Sequence, residues 1–336
     1  MKILITGAAG FIGSFLLESL GKQGVDAVGV DNFNPYYSAT YKMQRLEKAG
    51  FNAAEINSAG MGLSGLYPSL KFYTLDICDG KRLDELFATE EFTHVVHLAA
   101  QPGVRRSLTH PYDYLTNNIE GFLTLLETLR HHKVEHLVYA SSSSVYGTNS
   151  KVPFAETDAV NNPESLYAVT KRTDELMAQV YNHLYGIPST GLRFFTVYGP
   201  WGRPDMAPIL FGNAILRGEK IKVFNHGDMK RDFTCVHDIV VGIEKVLAGG
   251  YKSDGAHVYN IGHGSPVDLM EFIRILEQHI GKEAKKEFLE MQPGDVPVTY
   301  ADTTLLQRDY GYEATTDLNS GLAEFAQWLK TERHDD

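Results

Sequence analysis

The chain has 336 residues, 43% of them hydrophobic and 22% charged, an ordinary globular composition with ample apolar material for a core and no sign of disorder. Its net charge of −11 comes with basic residues that cluster no further than pairs such as Arg105-Arg106 and Lys285-Lys286, which argues against nucleic acid as a partner. Two cysteines, Cys78 and Cys235, are too few for a disulfide framework, and neither has a Cys or His at metal-ligand spacing, so no metal is expected.

The first apolar run, Ile3-Leu4-Ile5, ends at Thr6-Gly7. It is too short for a signal sequence or a membrane span, so cytoplasmic residence without a membrane partner is expected. The run reads as a strand. A glycine-rich turn follows, Gly7-Ala8-Ala9-Gly10-Phe11-Ile12-Gly13, and then a helix with Phe15, Leu16, Leu17 and Leu20 at its apolar positions. A second buried strand, Ala27-Val28-Gly29-Val30, ends in Asp31, and further strands are expected at residues 71–75, 94–98 and 137–140. Helical segments separate them, the pattern of a doubly wound parallel sheet in an α/β fold. Residues 50–68 shift to Asn, Ala, Ser and Gly with weak periodicity and read as an inserted surface loop. Beyond residue 187 the alternation loosens, with Pro200, Pro204 and Pro208 close together. Because single cores stop growing at about 250–300 residues, two lobes are expected. One covers residues 1–186 with returning segments near 232–262; the other, a smaller C-terminal α/β lobe over residues 187–336, would bind substrate.

In Gly7-x-x-Gly10-x-x-Gly13 the glycines allow a tight turn and a close backbone approach where a pyrophosphate would meet the helix N-terminus, and Gly13 lets that helix pack on the sheet. The triplet also suits a plain strand-to-helix turn; its position after the first strand favours a dinucleotide. Asp31 falls about 20 residues on, where a carboxylate hydrogen-bonds the ribose hydroxyls of NAD and repels the 2′-phosphate of NADP. Asp31-Asn32 would equally serve as a turn. Asp76-Ile77 ends the next strand and would reach the adenine edge, or again mark a turn.

Leu166-Tyr167-Ala168-Val169-Thr170-Lys171 opens a helix-period stretch that continues through Leu176, Met177, Val180 and Leu184, and places Tyr167 and Lys171 on one face. A phenol is a poor base at neutral pH, but a neighbouring ammonium stabilises phenolate and makes it a usable one. The pair alone is also a common helix-surface arrangement. Upstream, Ala140-Ser141-Ser142-Ser143-Ser144-Val145-Tyr146-Gly147 puts hydroxyls at the C-terminal end of a strand, where open α/β sheets bind ligands. Such a serine would orient a substrate hydroxyl toward Tyr167, or simply cap a turn.

These residues belong to a longer ordered set with His97-Leu98-Ala99-Ala100-Gln101, Asn117-Asn118 and Arg193-Phe194-Phe195-x-x-Tyr198-Gly199-Pro200. In that set the chain resembles the extended short-chain dehydrogenase/reductase family over nearly its whole length. The resemblance implies a Rossmann domain, tightly held NAD, a lobe gripping a nucleotide sugar, and a homodimer formed through two helices per subunit. It implies NAD contacts from Gly7, Gly10, Phe11, Ile12, Gly13, Asp31, Asn32, Asp76, Ile77, Leu98, Ala99, Ala100, Gln101, Asn117, Tyr167 and Lys171. In the same terms Tyr167, Lys171, Ser142 and Ser144 carry the chemistry. Ser142, Ser143, Thr196, Arg203, Val223, Arg231 and Asp295 contact the UDP-sugar, Arg231 at its phosphates.

Within the family, dehydratases and decarboxylases typically carry an acid just before Val-Tyr-Gly; here that position is Ser144, which favours epimerisation. The finer resemblance is to UDP-glucuronate 4-epimerases. It rests on Asp31-Asn32-Phe33-Asn34-Pro35-Tyr36-Tyr37, Gln101-Pro102-Gly103-Val104-Arg105, residues 223–233 and Met291-Gln292-Pro293-Gly294-Asp295-Val296-Pro297. Departures are Pro102, the loop after Gly50, and Cys235-Val236-His237-Asp238 in place of the usual aromatic and acidic residues. The implied reaction interconverts UDP-glucuronate and UDP-galacturonate through a 4-keto sugar. Arg203 would grip the C6 carboxylate, unless it is a solvated loop arginine. A UDP-glucose 4-epimerase, then a decarboxylase or dehydratase, then a non-catalytic NAD-sensing protein remain as alternatives.

Overall fold

Eight strands join into one sheet in the computed structural model, which describes residues 1–253, 257–292 and 296–331. Their order is Val258–Ile261, Ser189–Phe194, His136–Ser142, His94–His97, Lys2–Thr6, Asp26–Asp31, Leu70–Thr74 and Met61–Leu63. Every strand expected from the apolar runs is present. Lys2–Thr6 pairs in parallel with Asp26–Asp31 on one side and His94–His97 on the other. Strand order therefore reverses beside Lys2–Thr6, the position at which open α/β sheets bind ligands. The sheet is the Rossmann-like, mostly parallel sheet expected.

Helices cover the sheet, so its strands are apolar on both faces. Leu4, Val28, Val95 and Leu137 pack in one core cluster with Leu83, Phe87, Phe122 and Leu125, each buried side chain contributing about 1.5–3 kcal/mol. The helix Phe11–Lys22 follows the first strand and buries Phe15, Leu16, Leu17 and Leu20.

Residues 50–68 are not the surface loop expected. They hold the helix Ala53–Ala59, whose N-cap Asn52 accepts from the backbone of Ala54 and Glu55, and the strand Met61–Leu63, antiparallel to Leu70–Thr74. Phe51 and Ile56 are buried. Two apolar anchors in so short a segment establish no periodicity, and the local signal was the Asn52 cap.

The longest helix, Leu166–Tyr185, starts at Ser165, whose side chain accepts from the Ala168 backbone. A buried ionic cluster fastens it to the sheet. Glu175 accepts from Arg193 Nε at 2.8 Å and Nη2 at 2.9 Å, from Ser141 Oγ at 2.6 Å and from Arg172 at 2.9 Å. Arg193 also donates to the Tyr146 hydroxyl. Against the desolvation that would raise it, these donors hold the Glu175 carboxyl below its ordinary range.

The chain divides into two compact units. The first comprises Met1–Gly147, Ala159–Arg193 and Ile243–Tyr259; the second comprises Thr148–Asp158, Phe194–Gly242 and Asn260–Asp336. In the second, the helices Ala207–Arg217, Leu269–Ile280 and Leu318–Thr331 pack on one another. Three small sheets accompany them, including parallel pairs of Thr196–Tyr198 with Phe233–Cys235 and of Lys220–Phe224 with Lys285–Leu289. Among the described residues no helix is long and apolar enough to cross a membrane.

Glu175→Ala strands the Arg193 guanidinium and should lower unfolding stability by about 3–5 kcal/mol, read as a shifted urea midpoint at unchanged slope; a loss within error would show that the cluster is dispensable. Burial depresses His97 to about 3 and His136 to about 4. Above about pH 6.5 both are neutral folded or unfolded, and below it only the unfolded chain takes up protons, so stability falls as pH drops from about 6.5 toward 4. His97→Gln should remove up to one proton from that slope, measured by urea unfolding at about pH 7.5 and about pH 5; an unchanged slope would contradict the assignment.

Candidate active site

The glycine turn is built for backbone proximity. Gly7 has φ +71, and a Cβ on it would lie 2.8 Å from the Ala99 nitrogen and 2.9 Å from the Leu98 carbonyl carbon. A Cβ on Gly13 would overlap the Gly7 carbonyl oxygen. Only glycine permits this packing of the turn against the segment after His94–His97. That segment is pinned by Thr6, whose hydroxyl bonds His97 Nδ1 at 2.8 Å and accepts from the Ala99 backbone at 3.1 Å. The helix after the turn begins at Gly10 with no side-chain cap, so the N–H groups of Phe11 and Ile12 end a positive dipole suited to phosphate.

Asp31 is buried at the end of its strand and accepts from the Phe33 backbone at 2.8 Å and from Lys42 Nζ at 3.4 Å, both on Oδ1. Its Oδ2 takes no hydrogen bond among the described residues. Asn32 donates to Asp76 Oδ2 at 2.9 Å, and Asp76 Oδ1 accepts from the Cys78 backbone. Ile77 packs beneath Gly121. Gln101 is buried, and its Nε2 has no partner among the described residues. A glycine cradle closed to any Cβ, an uncapped helix end, an open Asp31 oxygen and an orphaned amide donor together fit a dinucleotide.

Asn118 belongs to the ordered motif set but is given no role there, yet it organises this corner. Its Oδ1 accepts from the Gln101 backbone at 2.6 Å, and its Nδ2 donates to the Gln101 carbonyl at 3.1 Å and to Thr170 Oγ1 at 2.9 Å. It therefore ties the Gln101 segment to the helix bearing Tyr167. Asn118 lies in a π-helical turn, Leu115–Glu120, a distortion found often at functional sites. Asn117, the residue expected at the cofactor, donates instead to the Asp113 carbonyl one turn back.

Tyr167 and Lys171 share one face of Leu166–Tyr185. The Tyr167 phenol takes no hydrogen bond among the described residues; its ring meets Tyr114 edge-on, with centroids 6.1 Å apart. Lys171 is buried and donates to the Ala140 carbonyl at 2.9 Å and to Asp174 Oδ2 at 3.2 Å. Sequence reading missed Asp174, whose carboxyl burial pushes up to about 7 against the pull of Lys171. In the serine run, Ser141 belongs to the Glu175 cluster, whereas Ser144 Oγ donates to Ser142 Oγ at 3.0 Å. Ser143 opens the short turn Ser143–Tyr146. Ser142 and Ser144 thus stand at the end of the strand that also supplies the Ala140 carbonyl to Lys171.

The second unit holds the remaining expected contacts. Arg203 forks onto Asp205, Nε to Oδ1 at 3.0 Å and Nη2 to Oδ2 at 2.7 Å. This is the bidentate geometry expected toward a carboxylate, here satisfied two residues away. Arg231 donates to the carbonyls of Lys230 and Pro297. Next to it Asp232, fully buried, accepts from Thr234, His263, Gly264 and Ala301. Thr196 is half-buried and bonds Asp232 through the backbone. Val223 is buried with no exposed surface, side chain or backbone, which does not fit the sugar contact expected of it. Asp295 lies outside the described residues.

The family model described as the NAD dependent epimerase/dehydratase family matches residues 3–262. Protein CapI of Staphylococcus aureus is 46% identical over 98% of both chains. UDP-glucuronate 4-epimerase 4 of Arabidopsis thaliana is 44% identical over 98% of this chain and 75% of that protein. The crystal structure of UDP-glucuronic acid 4-epimerase from Bacillus cereus, in complex with UDP-glucuronic acid and NAD, superposes with a TM-score of 0.86 at 35% identity, covering 99% of this chain and 100% of the other. The chain belongs to the NAD dependent epimerase/dehydratase family.

Proposed function

We propose that the chain is an NAD-dependent UDP-glucuronate 4-epimerase, interconverting UDP-glucuronate and UDP-galacturonate through a 4-keto sugar. The observation that carries this reading is the placement of Tyr167 and Lys171 on one helix that the Glu175 cluster holds beside the Ser142–Ser144 hydroxyl pair. Near full-length similarity to relatives bearing that name supports the substrate. NAD, when bound, supplies a nicotinamide ring that accepts a hydride from sugar C4 and returns it. Tyr167 as phenolate takes the proton from the 4-hydroxyl, and Lys171, one helical turn away, stabilises the phenolate charge. The Ser144-to-Ser142 hydrogen bond aligns two hydroxyls to orient the 4-hydroxyl. Because Ser144 stands where elimination chemistry would want an acid, the keto sugar is returned to an alcohol rather than losing water. We place NAD at Gly7, Gly10, Gly13, Asp31 and Gln101, with Asp31 selecting against the 2′-phosphate of NADP.

A ketone at C4 makes the substrate a β-keto acid, which loses CO₂ when its C5–C6 bond aligns with the carbonyl π system. A guanidinium fixing the carboxylate prevents that alignment, and Arg203 is assigned this task, exchanging Asp205 for the substrate. Arg231 is assigned to the UDP phosphates. The Arg203–Asp205 fork also favours a second reading, since an arginine satisfied internally suits a neutral C6 and a UDP-glucose 4-epimerase.

A homodimer and cytoplasmic residence complete the proposal. Val169, Leu176, Val180 and Leu184 form an exposed apolar stripe along Leu166–Tyr185, with Leu123 exposed on the neighbouring helix Gly121–His131, a surface that a second copy would cover. Both cysteines are free thiols, in keeping with a reducing compartment.

Tyr167→Phe should lower turnover by at least about 10²–10⁴-fold while UDP-sugar binding, measured by calorimetry, stays near that of the parent; retained turnover would remove Tyr167 from the chemistry. Arg203→His should weaken use of UDP-glucuronate by about 1.5–3 kcal/mol, roughly tenfold to a hundredfold in kcat/KM, and release some UDP-4-keto-pentose, with UDP-glucose unaffected. Unchanged kinetics on UDP-glucuronate, together with efficient epimerisation of UDP-glucose, would favour the neutral-sugar reading.

A further inference from the structure

Cys235 and His237 stand two residues apart, and the fold brings both to a third donor, Glu324, 87 residues beyond His237. Cys235 ends the strand Phe233–Cys235, His237 lies in the first turn of the helix Val236–Gly249, and Glu324 projects from the last helix, Leu318–Thr331. One ligand atom from each, the Cys235 Sγ, a His237 ring nitrogen and a Glu324 carboxylate oxygen, lies within 4.8 Å of the other two. His237 Nε2 already bonds Glu324 Oε1 at 2.9 Å. All three belong to the second unit, so the cluster is complete within one compact body. It shares no residue with the proposed chemistry at Tyr167, Lys171 and the serines.

We propose that Cys235, His237 and Glu324 form a zinc site. A tetrahedral zinc ion with bonds of about 2.0–2.3 Å sets its donors roughly 3.3–3.8 Å apart, so the cluster needs only small rotations to close on the ion. The side chains of His237 and Glu324 are about half exposed, at 48% and 47%, so solvent reaches both, whereas the buried Cys235 supplies the sulfur. Thiolate, imidazole and carboxylate are a donor set suited to zinc and poorly suited to magnesium or calcium, which prefer oxygen alone. Solvent supplies water as the fourth ligand. On binding, the thiol proton and the Nε2 proton that His237 donated to Glu324 leave to solvent, with Nδ1 keeping or taking up the one proton of a neutral imidazole; zinc–sulfur, zinc–nitrogen and zinc–oxygen bonds form, so that bonds from both groups to the same ion replace the His237–Glu324 hydrogen bond. The sequence concealed the site because a lone Cys-x-His carries no recognisable spacing without Glu324.

The consequence is a metal clip between the Phe233–Cys235 strand and the C-terminal helix. Cobalt(II) added to the metal-stripped full chain should produce a near-ultraviolet thiolate-to-cobalt charge-transfer band that saturates at one equivalent and is bleached by zinc. Cys78→Ser should keep the band and Cys235→Ser should lose it. The exposed variants His237→Ala and Glu324→Gln, which leave the core intact, should each weaken cobalt affinity at least about tenfold. Zinc should raise the thermal midpoint of the parent and not of His237→Ala, reversibly on chelation. No thiolate band, a band that survives Cys235→Ser, or cobalt affinity indifferent to both His237→Ala and Glu324→Gln would overturn the proposal.

Discussion

The buried carboxylate of Glu175 is the point on which the catalytic unit turns. Three side chains from three elements donate to it: Arg193 from Ser189–Phe194, Ser141 from His136–Ser142 and Arg172 from its own helix. An ion buried this deeply is tolerable only when its lone pairs are all satisfied, so the helix can take only a narrow range of positions against the sheet. Tyr167 and Lys171 sit two and one turns before Glu175 on the same helix, and Ser142 follows Ser141 by one residue. The geometry that the proposed proton handling requires is thus inherited from a structural ion pair rather than assembled by the proposed reacting groups.

A second constraint, purely steric, acts at the cofactor end. Gly7 and Gly13 let the turn after Lys2–Thr6 collapse against the Leu98–Ala99 segment, and Thr6 with His97 fixes that segment from below. Asn118 then joins it to Thr170, on the same turn of helix as Tyr167 and Lys171. The proposed cradle for the dinucleotide and the helix bearing Tyr167 and Lys171 are in this way linked by one buried amide, so displacement of either would be felt by the other.

Much of this was legible in the residues themselves. Strands such as Lys2–Thr6 and Asp26–Asp31 announce themselves as β-branched runs because both sheet faces are buried, and the glycine spacing carries its own steric meaning. The ordered motifs led to the family, which the comparisons bear out. What was hidden depends on contacts distant in sequence. Asn118 and Asp174 acquire significance only once Gln101 and Lys171 lie against them, and Asp232 is one more acidic residue until four donors converge on it. The segment 50–68 misled because Phe51 and Ile56 are too few to show a period, although its Asn52 cap was visible. Arg203 shows the opposite limit: its chemistry was readable, while its engagement by Asp205 was not.

The claim at the centre of the account is that one hydride leaves C4 and returns to it on the opposite face, with Tyr167 moving the proton each way. The most direct measurement is epimerisation of UDP-glucuronate carrying deuterium at C4, with NMR of the UDP-galacturonate formed in ordinary water. The account predicts that deuterium is retained at C4 of the product, since the hydride never exchanges with solvent. Loss of the label to solvent, with epimerisation intact, would place the inversion on a proton-abstraction route and contradict the role given to the Tyr167 site.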